Sequence, residues 1–246
     1  MAIRRIKLTV AYDGSEYHGW QHQPGQRTIE QAITAAIEDL VGFEVKVTGA
    51  SRTDAGVSAL GQTCRIEIDS PVPTENLAKA ITHRLPPEIA ITEAVEVPFN
   101  FDVISDVKSK LYRYTIFTGT HRPVLRIRHC WHLPVKLDAD VMSEAAKLLV
   151  GKKDFKSFAS AADTRENTVR TIFRCDVTLE GESIYVDAEG DGFLYNMVRN
   201  IVGTLVEVGI GRMKPEKIEQ ILEAKDRTAA GPIAPAAGLC LLWIKY

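Results

Sequence analysis

The chain has 246 residues, 45% of them hydrophobic and 25% charged, with a formal net charge of −2. That length supports one large domain or two small ones with a real core. With no apolar run of about 18 residues it predicts no membrane span, and a near-neutral total charge argues neither for nor against any partner.

The opening MAIRRIKLTVAYDG is basic but then alternates as a strand does, which argues against a secretory leader. Residues 3–11 read as the first strand. TIEQAITAAIEDLVG reads as a helix with Thr28 as N-cap, Gln31 placed for a capping box and Gly42 as the stop. Strands are predicted at 44–49 and 61–69, a helix from Thr74 to Leu85 closed by Pro86-Pro87, and a strand at 89–97. The pattern then restarts. KSKLYRYTIFTG alternates as a strand, Asp138 opens a helix over 138–150, and a hairpin over 168–190 turns at Gly181-Glu182. A long helix follows over 192–208, then one with Pro215 in its first turn, and LCLLWIKY closes the series as a strand. The expectation is an α+β fold of two similar α/β domains, 1–105 and 106–246, sharing a mostly antiparallel sheet with helices on one side.

Four cysteines, Cys64, Cys130, Cys175 and Cys240, show no C-x-x-C spacing. That argues against zinc and against a disulfide framework, and for a reducing, cytosolic compartment. The average charge conceals a polarity: Lys108 to Arg174 holds 14 Lys/Arg and 6 Asp/Glu, leaving 16 and 26 to the remainder. Such asymmetry suits a polyanionic partner, although a solvated basic face has the same composition.

Chemistry is concentrated in a few stretches. In TGASRTDAGVSALGQ, Asp54 sits between Arg52 and the small pair Ala55-Gly56; a nearby guanidinium favours the charged carboxylate, as a nucleophile or base requires. Asp before Ala-Gly is also ordinary turn chemistry. Tyr112 and Tyr114 share one face of their strand, as core residues or as a platform for stacking bases. In GFLYNMVRNIVGTLVEVG an apolar stripe occupies one side, with Arg199 on the other beside Asn196, Asn200, Gly203 and Glu207. An arginine there either snorkels to solvent or takes a carboxylate from another element. THRPVLRIRHCWH mixes three arginines with histidines that alternate as on a strand, suited to phosphate and lacking the partners a metal needs. GKKDFKSF reads as contacting an RNA backbone or as solvated, and AYDGSEYHGWQHQ as a substrate-facing loop.

With these stretches in hand, the sequence resembles the tRNA pseudouridine synthase A family over nearly its whole length. The pieces are YDGSEYHGWQ, GASRTDAGVSALGQ, YRYTI, DFKSF, GFLYNMVRNIVGTL and EAKDRTAAGPIAPAAGL, in that order. The resemblance implies a cofactor-free, metal-free isomerase with a central RNA-binding cleft. It would act as a cytoplasmic homodimer on uridines of the transfer RNA anticodon stem-loop, expected at positions 38–40. It also implies that Asp54 is the catalytic aspartate, that Tyr112 stacks on the target base, that Arg199 ion-pairs with the aspartate, and that Arg52 fills the gap left by the displaced nucleotide. One departure stands out: Ser58 occupies a position where the family usually has histidine. A non-catalytic RNA-binding module and a uracil-releasing N-glycosidase are the rival readings.

Overall fold

In the computed structural model, which describes residues 3–246, the chain divides into two compact units. The first runs up to Lys108 and takes in Leu241–Tyr246; the second is Ser109–Cys240.

The first unit is built on β1 (Arg4–Tyr12), where Ile6, Leu8, Val10 and Tyr12 alternate inward with Arg5, Lys7 and Thr9 outward. β1 pairs antiparallel with β3 (Ser58–Ile68) on one side and β4 (Ile89–Glu96) on the other; β2 (Thr48–Gly49) and β10 (Leu239–Lys245) lie against β3. Helix α1 (Ile29–Val41) buries Ile29, Ile33, Ala36 and Ile37, one face at helical spacing. Thr28 caps it through its hydroxyl, which accepts the Gln31 N–H, and Gly42 ends it at φ 80° with its N–H donating to the Glu38 carbonyl. α2 (Thr74–Thr82) stops short of the predicted Leu85. The N–H groups of Arg84 and Leu85 turn back onto Ile81 and Thr82 as a tightened last turn, and the Thr82 hydroxyl accepts the Ile91 N–H at 2.9 Å, tying the helix end to β4. The strand expected at 44–49 shrinks to the two residues of β2, because only Thr48 and Gly49 find ladder partners on β3.

In the second unit β5 (Ser109–Phe117), β9 (Ser183–Gly190), β8 (Val169–Glu180) and β7 (Gly151–Asp154) run antiparallel in that spatial order. A short β6 (Trp131–His132) adds parallel to β5. The hairpin turns at Gly181-Glu182, as predicted, with Gly181 at φ 59°. Asp138 caps α3 (Ala139–Lys147) by accepting two backbone N–H groups, and α5 is Lys217–Ala224. α4 (Met197–Gly209) departs from the expected span. It begins at Met197, preceded by Asn196 in the left-handed region at φ 60°. Residues 192–196 are diverted from helix by other partners: the Tyr195 N–H donates to Asp163 and its carbonyl accepts the Ser160 N–H. THRPVLRIRHCWH is strand only in its last two residues, Trp131 and His132. It holds a single 3-10 turn at Ile127–His129 before β6, so its histidines do not alternate on one face. The α+β class and the antiparallel character of the strands are as the alternation predicts.

Candidate active site

Asp54 sits half-exposed in a loop of the first unit, and the loop is shaped from outside. The Trp20 N–H donates to the Thr53 carbonyl at 3.1 Å, and the Gly56 N–H to that of Tyr17 at 3.2 Å. The Tyr12 and Thr53 hydroxyls bond at 2.8 Å, and Gln62 donates its amide to the Ser51 carbonyl at 2.7 Å. The stretch YDGSEYHGW is therefore a cradle: Tyr12, Tyr17 and Trp20 are buried packing, while Glu16, His18 and residues 21–23 remain exposed beside the loop. Its two glycines answer to close backbone approach. A Cβ on Gly14 would stand 2.0 Å from the Val57 carbonyl oxygen, and one on Gly19, at φ +87°, 2.5 Å from that of Thr53. Ser58 has a structural task, since its hydroxyl accepts the Gly14 N–H at 3.1 Å. Ser58→Ala leaves that buried N–H without its acceptor and is expected to cost about 1–3 kcal/mol; denaturant titration of the two proteins measures it. Arg52 projects from the same loop and is exposed.

The second unit carries Tyr112 and Arg199. Tyr112 is 6% exposed on β5, its ring meeting that of Phe193 edge to face at 5.2 Å. Tyr114, one pleat further, is core: it is fully buried, donates its hydroxyl to the Pro235 carbonyl at 2.7 Å, and is pushed up in pKa first by burial. Arg199, in the first turn of α4, is half-buried. Its Nε donates to the Ala234 carbonyl at 2.8 Å and an Nη to Asn196 Oδ1 at 3.0 Å. The guanidinium is thus aimed by backbone rather than left to snorkel.

The polar stripe that Arg199 shares is also not solvated. Asn200 and Thr204 are buried, and both face the segment DRTAAGPIAP. Thr204 accepts the Gly231 N–H at 2.9 Å, and Arg227 donates to Asn200 Oδ1 at 2.9 Å and to the Gly231 carbonyl at 3.0 Å. The Asn200 amide donates to the Phe158 carbonyl at 2.8 Å, so DFKSF, α4 and DRTAAG meet at one asparagine. DFKSF itself is anchoring rather than surface, with Phe155 and Phe158 buried and Ser157 bridging Ile221 and Asp226. Lys153 of GKKDFKSF likewise donates to the Leu148 carbonyl.

A family model described as tRNA pseudouridine synthase matches residues 8–105 and 145–246. The chain belongs to the tRNA pseudouridine synthase family. It is 41% identical to the tRNA pseudouridine synthase A of Caldicellulosiruptor bescii over 99% of this chain and all of that one. It is 43% identical to the protein of the same name from Acetivibrio thermocellus and 42% to that from Geotalea uraniireducens, each over 99% of this chain and the full relative. This synthase is accordingly an isomerase, converting uridine to pseudouridine. The matched segments contain Asp54, Arg52 and Arg199; Tyr112 falls in the interval between them, which the full-length relatives cover. Sequence reasoning placed Asn200 on the polar stripe without a task and gave none to Arg227 or the cradle glycines. Their partners lie 27 to 44 residues away along the chain, beyond the reach of local spacing.

Proposed function

We propose that this synthase isomerises uridines in the anticodon stem-loop of transfer RNA, with Asp54 as the catalytic nucleophile or base. The observation that carries the reading is the Asp54 loop: a carboxylate in a turn whose backbone is fixed by an independent cradle, in a chain of this family. The reaction breaks the bond from ribose C1′ to uracil N1, turns the base, and joins C1′ to C5; N1 gains a proton and C5 loses one, so the atoms balance without redox change or a co-reactant. Attack at C1′, attack on the base and abstraction of a ribose proton all start from an ionised carboxylate. Arg199 supplies a cation to the reaction, Tyr112 stacks on the turned-out base, and Arg52 occupies the place the nucleotide leaves. Extrusion costs a few kcal/mol, and stacking at about 1–3 kcal/mol per base offsets much of it. The family likeness supports a homodimer working in the cytoplasm, which sedimentation and cell fractionation address.

Arg199→Ala is expected to lower turnover by roughly 10²–10³-fold, the scale of losing one electrostatic contact in the transition state. Losing the bond to Ala234 should lower the melting temperature by only about 2–4 °C, the shift for about 1 kcal/mol in a chain of this size. Single-turnover assays beside thermal melts test both; a collapsed melt would make Arg199 structural first. Product analysis separates the rivals, since an N-glycosidase releases free uracil and a binding module alters nothing.

A further inference from the structure

Asn196 stands immediately before α4 at φ 60° and ψ 7°, a left-handed conformation that is costly for most side chains. It is held there from both sides. The Tyr195 N–H donates to Asp163 and the Tyr195 carbonyl accepts the Ser160 N–H, while the Asn196 carbonyl accepts the Asn200 N–H at 2.9 Å. An asparagine at this position ordinarily caps its own helix, accepting a backbone N–H two or three residues on. Asn196 makes no such bond; its Oδ1 instead accepts from an Nη of Arg199 at 3.0 Å. The Arg199 Nε donates to the buried Ala234 carbonyl at 2.8 Å, and the Ala234 N–H returns to the Arg199 carbonyl at 3.2 Å. A planar guanidinium bonded at Nε and at one Nη has its plane fixed, and with it the direction of the second Nη. With the bond to Ala234 alone it can turn about that single contact.

We infer that Asn196 is a positioning residue, whose amide oxygen fixes the Arg199 guanidinium in the orientation the isomerisation uses. The inference rests on the proposed role of Arg199 and adds the group that aims it. Two local rules are broken at this one residue, the backbone conformation and the unmade cap, and the bond to Arg199 is what the molecule gains in return. Strain and a missing cap at the same place mark a position held for function rather than for stability. The three-residue spacing from Asn196 to Arg199 is the one that brings side chains of a single helical turn together.

The test is a double-mutant cycle with unmodified transfer RNA. Asn196→Gly keeps the backbone, because glycine adopts this conformation without strain, and deletes only the amide. Its melting temperature is expected within about 2–4 °C of the parent. The single-turnover rate at saturating RNA should fall roughly ten- to a hundredfold while the RNA concentration for half-maximal rate stays the same, since a misaimed group costs turnover rather than binding. In the Arg199→Ala background the same substitution should add less than about twofold, because the guanidinium it aims is gone. A residue that merely holds the fold would cost the same factor in both backgrounds. Equal factors, or full turnover in Asn196→Gly, overturn the inference; all four proteins are assayed well below their melting transitions, so a lowered melt leaves the comparison intact. Failure of the underlying reading looks different, because then Arg199→Ala itself turns over at the parent rate.

Discussion

Asp54→Asn is expected to reduce pseudouridine formation by at least about 10⁴-fold, the scale seen when a reacting side chain is removed. The fold should survive. The loop is positioned by bonds through Thr53, Tyr17, Ser51 and Gly56, and asparagine matches aspartate in shape. The affinity for transfer RNA should change little, since phosphate contacts dominate it. Rapid-quench assays, a binding isotherm and a melt on the same preparation examine the three parts. A turnover loss of only tenfold would move the chemistry to another group.

Gly203→Ala is expected to have the largest effect on stability of any single-methyl change in the second unit. A Cβ at Gly203 would lie 1.7 Å from the Pro232 carbonyl oxygen, 2.9 Å from its carbon and 3.3 Å from the Ala234 nitrogen. All three are backbone atoms, and the segment is tied to α4 at both ends of the contact, through Gly231 to Thr204 and through Ala234 to Arg199. Relief requires the strap to lift, breaking those bonds. Overpacking of this kind costs about 3 kcal/mol or more, which corresponds to roughly 10 °C in melting temperature for a chain of this length. Because the same lift removes the carbonyl that aims Arg199, turnover should fall further than stability alone explains. Gly181→Ala is the control: it sits at φ 59° with open space around it, so only the backbone cost of about 1–2 kcal/mol applies. Equal melting temperatures for the two variants would contradict the close-approach argument.

The contrast between these glycines shows what the sequence could disclose. Elements whose boundaries are set locally were legible. Thr28 and Gly42 bracket α1, Asp138 opens α3, and Gly181-Glu182 turns the hairpin, because each cap bonds within a few residues. Boundaries set by distant partners were not. α4 starts five residues later than its apolar periodicity suggests, since Tyr195 is claimed by Asp163 and Ser160, and its polar stripe is buried because DRTAAG covers it. The candidate aspartate was visible as chemistry, a carboxylate in a turn made of small residues. Its cradle was not, since Gly14 and Gly19 act on atoms more than thirty residues along the chain.

The central claim is that an ionised Asp54 drives an isomerisation in which the uracil never leaves the protein. The most direct measurement incubates the protein with unmodified transfer RNA and no added cofactor, maps pseudouridine by chemical labelling, and assays free uracil in the same tube. The account predicts pseudouridine confined to the anticodon stem-loop with no uracil released; free uracil, or RNA left unmodified by a folded protein that binds it, would contradict it.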